Sequence, residues 1–194
     1  MSESAGEGGH GTGETSLLLD SCVVINLYAT RCIEEIVSAQ SRPVYVTERT
    51  RSSEARWVGR GRRSEPAGDV EPVDLDPLIR RGILGVVSTE GDDEAETLVV
   101  LAAELDDGEA ECGAIAFHRN FVVATDDRKA INVFGRLTPP LTVARTTQLL
   151  QRWEREKGTT RAAMHAALRD IRERARFEPP PADPLFEWWM ERAA

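Results

Sequence analysis

Cysteine is scarce in this 194-residue chain, and the three present, Cys22, Cys32 and Cys112, show no Cys-x-x-Cys or Cys/His spacing. Neither a thiolate metal centre nor a disulfide framework is indicated, and the thiols read as reduced and structural, which suits a cytoplasmic protein. Histidine is no more helpful: His10, His118 and His165 are too scattered for a His-based site. No apolar run is long enough to span a bilayer and no signal peptide is visible, so no membrane role is expected. An excess of positive charge is missing too. With 24 Lys and Arg against 33 Asp and Glu, the formal charge is −9, which argues against broad electrostatic adhesion to nucleic acid or anionic lipid. A nucleic-acid enzyme is not excluded, because bound cations can neutralise an acidic site. No serine sits in a nucleophile-elbow context, and no glycine loop of the phosphate-binding kind is present.

What is there is a chain that is 41% hydrophobic, enough for one domain of ordinary size. Residues 1–15 are mostly Gly, Ser, Glu and Thr with one histidine, and are expected to be disordered. Residues 16–157 alternate short apolar runs with helical patterns. Leu17-Leu18-Leu19, Pro43 to Val46, Ile83 to Val87, Phe121 to Ala124 and Leu141 to Val143 read as strands. Helices are expected between them, including one capped by Thr47 that runs through Glu54 and Trp57, one from Asp92 to Glu104, and one from Glu109 to Arg119. This alternation predicts an α/β fold: a three-layer α/β/α sandwich around a mostly parallel sheet. Residues 158–194, with a long Ala- and Arg-rich helix, the run Pro179-Pro180-Pro181 and Trp188-Trp189, read as a helical appendage. It is expected to be an interaction element, the alternative being a cap on the chain's own core.

Two apolar strands end in acids. Asp20 follows Leu17-Leu18-Leu19, and Thr125-Asp126-Asp127 follows Phe121 to Ala124. In an open parallel sheet the carboxyl ends of the strands face the ligand crevice. Taken alone, Asp20 is best read as a helix N-cap. If the two strands are neighbours, however, Asp20 converges with Asp126 or Asp127, and Glu109 can project into the same crevice. Clustered carboxylates raise one another's pKa unless a cation sits among them, and hard divalent ions suit such oxygen donors.

At this point the sequence resembles the PIN-domain nucleases. Leu18-Leu19-Asp20-Ser21-Cys22-Val23-Val24, Asp107-Gly108-Glu109-Ala110-Glu111 and Ala124-Thr125-Asp126-Asp127-Arg128-Lys129-Ala130 look like that family's acidic motifs in order, spacing and context. The resemblance covers roughly residues 16–153. It implies a Mg²⁺- or Mn²⁺-dependent endoribonuclease, with Asp20, Glu109 and Asp127 catalytic and metal-binding, Asp126 and Glu54 as further metal candidates, and Thr125 and Arg128 positioning substrate. Glu111 is secondary. For a small stand-alone chain the resemblance implies a VapC-type toxin, whose partners would be its RNA substrate, a small antitoxin protein and a second copy of the chain. An RNA-processing nuclease without an antitoxin and an inactive partner-binding scaffold are the alternatives.

Other phosphoryl chemistries fit less well. A haloacid-dehalogenase-type site needs an aspartate where Cys22 stands, and a response-regulator-type site needs a lysine where the last strand runs into Ala144 and Arg145. A basic island, Arg49, Arg51, Arg56, Arg60, Arg62 and Arg63, reads equally as a phosphate-contacting edge or as a solvated helix and loop.

Overall fold

The computed structural model describes residues 15–60 and 69–194. The expected N-terminal tail, apart from Thr15, and Arg62 and Arg63 of the basic island lie outside the described residues. The chain opens with β1 (Leu17–Leu19) and α1 (Ser21–Ala29), continues through α2 (Ile33–Ser38), and returns as β2 (Val44–Thr47). A small antiparallel hairpin follows, β3 (Trp57–Gly59) and β4 (Val70–Pro72), then α3 (Asp76–Arg80) and β5 (Gly85–Val87). The second half runs α4 (Gly91–Ala102), α5 (Asp107–Arg119), β6 (Val122–Ala124), α6 (Arg128–Phe134), β7 (Val143–Ala144), α7 (Thr146–Lys157), α8 (Arg161–Asp170) and α9 (Phe186–Ala193).

The main sheet is parallel throughout, in the order β5-β2-β1-β6-β7, with Leu18 in register with Tyr45 on one side and Val123 on the other. Side chains alternate along a strand. Leu17 and Leu19 therefore enter one core with α1, α2 and α7, while Leu18 enters the other with α5 and α6. All three leucines are buried. Each contributes about 2 kcal/mol by leaving water, so burial on both faces, more than ladder length, holds this three-residue strand at the centre. The α/β/α sandwich expected from the sequence is the architecture observed.

Some boundaries differ. Thr47 closes β2 and caps the helix expected there, which is α-helical at residues 48–49 and π-helical over Thr50–Glu54 but ends before Trp57, where β3 begins. The Thr47 hydroxyl accepts from the Thr50 amide at 3.0 Å, a local side-chain bond of the kind that starts a helix. The helix expected to start at Glu109 begins at Asp107, because Asp106 caps it.

Residues 158–194 share the main core. Met164, Leu168 and Ile171 are buried, as is Trp189, whose ring meets Phe177 edge-on at 5.9 Å. Trp188 finds a second contact: its indole N–H donates to Glu154 at 2.9 Å, and Arg192 lies 5.1 Å above its ring. Asp183 accepts from Thr147 at 3.0 Å and from the Leu185 amide at 2.8 Å. Of the two roles weighed for this segment, the packing is that of a cap. Among the described residues no helix is long and apolar enough to cross a membrane.

Candidate functional site

The strands β1 and β6 lie side by side, and the chain leaves them in opposite directions: β1 leads to β2 on one flank, β6 to β7 on the other. Open α/β sheets form their ligand crevice at such a reversal, beyond the carboxyl ends of the strands. Asp20 and Thr125 are the first residues past β1 and β6. Asp20 is almost fully buried and caps α1, one oxygen accepting from the Ser21 amide at 2.6 Å. The other accepts from the Thr125 hydroxyl at 2.8 Å. That hydroxyl in turn accepts from the Asp127 amide at 3.1 Å, so one threonine ties the two acidic strand ends together. Asp127 caps α6, with Oδ1 accepting from the Lys129 and Ala130 amides at 2.7 and 2.8 Å. Its second oxygen accepts no hydrogen bond from the described residues.

Cys22 is more than packing. Its Sγ donates to Asp20 at 3.2 Å. Burial, with the nearby Asp20 and Asp126 charges, pushes this thiol far above its ordinary pKa. It is a protonated donor and not a nucleophile.

Glu109 arrives from the opposite wall, at the start of α5. Asp106 and Glu109 form a reciprocal capping box: the Glu109 amide donates to Asp106 at 2.9 Å and the Asp106 amide to Glu109 at 3.4 Å. The D-x-x-E pattern was legible in the sequence as a helix start, yet Asp106 as a member of the acidic cluster was missed. Glu54, at the end of the π-helical stretch, lies over Gly108. A Cβ at position 108 would fall 2.2 Å from its carboxylate, so a side chain there would push that carboxylate out of its present place.

The electrostatics match this convergence. Burial, then Asp106, Asp127 and Asp20, push Glu109 up to about 7. Burial, then Asp106 and Asp20, raise Glu54 as well, with Arg49 opposing. Asp20 thus acts on both Glu54 and Glu109 across the crevice, and Asp127 acts on Glu109. Glu111, one turn along α5, is buried and turned to the side. Its Oε2 stands 3.4 Å from Arg49 Nε without hydrogen-bond alignment, and Thr89 donates to Oε1 at 3.5 Å. Arg49 also pairs with Asp107 at 3.4 Å, so it brings positive charge to the Glu54 side of the crevice, another feature the linear pattern hid.

Asp126 does not join the cluster. Its carboxylate accepts from Asn26 at 2.9 Å, from the Thr146 hydroxyl at 2.5 Å and from the Thr146 amide at 3.1 Å. These bonds fasten β6 to α1 and to the start of α7, and correct the expectation that Asp126 is a metal ligand. Adjacent residues on an extended segment face opposite ways, so Asp127 and Asp126 cannot both enter the crevice. Arg128 stands exposed beside Asp127.

The basic island is mostly neutralised by the chain itself. Arg51 pairs with Glu48 and Asp76, and Arg60 with Asp69. Arg56 is exposed, and its side chain makes no hydrogen bond or ion pair with the described residues.

The donor set of the crevice is oxygen only, the chemistry of a hard divalent ion. The place of Glu54 over Gly108 and the raising of both Glu54 and Glu109 by Asp106 and Asp20 are what a bound cation would use and relieve. Among the described residues, no group of three His, Cys, Asp or Glu side chains stands in ligating geometry, so the fit is one of chemistry and convergence. No protein-family model, curated protein or solved structure matches the chain.

Proposed function

We propose that this protein is a Mg²⁺- or Mn²⁺-dependent endoribonuclease of the PIN-like kind, with Asp20, Glu109 and Asp127 as its catalytic carboxylates and Glu54 as a fourth oxygen donor. One observation carries the reading. Four acids from four separate parts of the chain converge on a single crevice at the strand ends, where Glu109 is raised to about 7 and carries no counter-charge of its own. A fold spends stability on such repulsion where chemistry needs it.

A divalent ion held by these oxygens supplies charge that stabilises the phosphate as it is attacked and lowers the pKa of water. The chain's own groups do the rest. The Thr125 hydroxyl keeps Asp20 and the Asp127 backbone in one frame, so the carboxylates stay at a set spacing. Glu109, close to neutrality, is placed to take the proton of the attacking water, and Arg128 at the rim orients the phosphate. Water adds to phosphorus in line, its proton passing to Glu109, the bond to the opposite oxygen breaks, and that oxygen leaves taking a proton from solvent water. The toxin role, with an antitoxin as partner and cytoplasmic RNA as substrate, is the setting that the motif resemblance supports. A small neighbouring gene for a DNA-binding antitoxin would be its first sign.

The purified protein is expected to cleave single-stranded RNA with Mg²⁺ or Mn²⁺ and to stop in chelator. Asp20→Asn and Asp127→Asn are expected to lose on the order of 10³-fold in rate, several kcal/mol of transition-state stabilisation. Cleavage that survives full chelation, or turnover by Asp20→Asn equal to wild type, defeats the assignment.

A further inference from the structure

Outside the crevice, α4 has two unlike faces. Its inner face is fixed to α5. Glu94 and Leu101 are buried, the Glu94 carboxylate accepts from Arg119 Nε at 2.7 Å, and Thr97 shares a hydrogen bond of 2.8 Å with His118. Gly113 of α5 leaves the space that Leu101 fills, since a Cβ there would meet Leu101 at 2.8 Å. What this helix presents outward is therefore held in place by its own inner face.

Outward, Asp92, Ala95, Glu96, Val99, Val100 and Ala103 are all exposed, at the spacing of one helical face. Val99 at 68% and Val100 at 70% are the two most exposed large hydrophobic side chains among the described residues. The side chains of Asp92, Asp93 and Glu96, in the turns just before them, make no hydrogen bond or ion pair with the described residues. Residues 91–104 hold five acids and no lysine or arginine. Arg119 and Arg136, which reach this helix and its end, are taken by Glu94 and Glu104. The helix dipole favours acids in a first turn, which accounts for Asp92 and Asp93. It does not account for Glu96, or for two bare valines beside it.

We propose that this face of α4 is a docking site for a basic amphipathic helix of a partner protein. The partner's apolar side chains cover Val99 and Val100, and its lysines or arginines meet Asp92, Asp93 and Glu96. The surface lies outside the crevice and goes beyond the nuclease reading without depending on it. Charge selects the occupant. RNA is repelled by the same carboxylates. A second copy pairing this face with itself brings three carboxylates from each copy and no cation into one interface, a desolvation cost with no attraction to offset it. Residues 1–14 carry three glutamates and no lysine or arginine, so the chain's own N-terminal segment meets the same repulsion. A basic helix pairs the charges and removes the valines from water, and its ridges can pack against those of α4.

The test uses the full chain and a synthetic helical peptide of leucine and lysine, about 18 residues long, with its leucines on one face. Affinity is read by fluorescence anisotropy in chelator. Val99→Ser combined with Val100→Ser is expected to weaken binding about 10-fold, through the loss of two apolar contacts. Asp92→Asn combined with Asp93→Asn and Glu96→Gln is expected to weaken it about 10-fold at low salt and to flatten its salt dependence. All five side chains are exposed, and unchanged melting temperatures guard against misfolding. The same peptide with glutamate in place of lysine is expected not to bind. No binding to the wild type, or equal affinity in wild type and both α4 variants, overturns the proposal. So does a loss confined to the valine variant with salt dependence unchanged, which removes the basic partner. Affinity that falls in Asp20→Asn combined with Asp127→Asn, and not in the α4 variants, places the peptide in the crevice and overturns it as well. A wild-type dimer that becomes monomeric in the valine variant, with peptide affinity unchanged, makes α4 a self-association face and has the same consequence.

Discussion

The carboxyl-end crevice and the anchorage of the C-terminal segment both bury charged side chains, and they treat them in opposite ways. In the anchorage each charge meets its complement. Arg174 takes Glu71 and two backbone carbonyls, Asp183 takes a hydroxyl, an amide and Arg145 at 3.5 Å, and Arg192 takes Glu154 at 2.8 Å. In the crevice, acid faces acid, and only Arg49 opposes them from the rim. Buried polar groups that are paired stabilise a fold, while like charges held together destabilise it and mark a site. Asp126 and Asp127 show the same division across one peptide bond: the first is fully committed to Asn26 and Thr146, the second keeps an oxygen free of protein donors.

The contrast can be broken most forcefully from the anchorage side. Trp189→Ala is expected to cost about 3–5 kcal/mol, the usual range for a large aromatic removed from a core, read as a fall in the urea midpoint at unchanged slope. The indole N–H of Trp189 has no acceptor among the described residues, so the loss is one of packing and not of a hydrogen bond. A loss under about 1 kcal/mol would mean that the segment is an appendage after all.

Next in size is the pair of neighbouring aspartates. Asp126→Ala strands the Asn26 amide and the Thr146 hydroxyl and is expected to cost about 1–3 kcal/mol. Asp20→Asn keeps the cap and removes one of the repelling charges, so in metal-free buffer it is expected to leave the melting temperature level or slightly higher. If Asp20→Asn destabilises as much as Asp126→Ala, the crevice is a structural knot like its neighbour.

The smallest effect is the dependence on pH. Glu109 is raised from 4.5 to about 7 in the folded protein, so between those values the folded state binds more protons than the unfolded one. Stability in chelator is then expected to fall as pH rises through that window, with Glu54 shifted in the same direction. Glu109→Gln is expected to flatten the profile between pH 5 and 7, followed by denaturant midpoints at half-unit steps. Glu94 works the other way, because its bond to Arg119 holds its carboxyl low; its contribution is present above its unfolded pKa and lost as pH falls through the lower folded value.

By itself the sequence determined the layers and the strand order's raw material. Leu17-Leu18-Leu19 and Val122-Val123-Ala124 can only be strands covered on both faces, and an acid just after such a strand stands at its carboxyl end, so Asp20 and the pair Asp126-Asp127 follow from local pattern, whereas the choice of Asp127 and of Glu109 rests on the motif resemblance. What tertiary structure alone decided is every relation that local pattern does not encode. The side to which Asp126 turns depends on Asn26 and Thr146, 100 and 20 residues away. The entry of Glu54 depends on the helix after Thr47 widening into a π-helix that ends at Glu54, and on the missing side chain of Gly108. The inward or outward fate of two adjacent tryptophans, Trp188 and Trp189, depends on where Phe177 and Glu154 lie. Periodicity reports which residues must leave water, but not which distant group will meet them, because that choice is made by packing and charge once the sheet has closed.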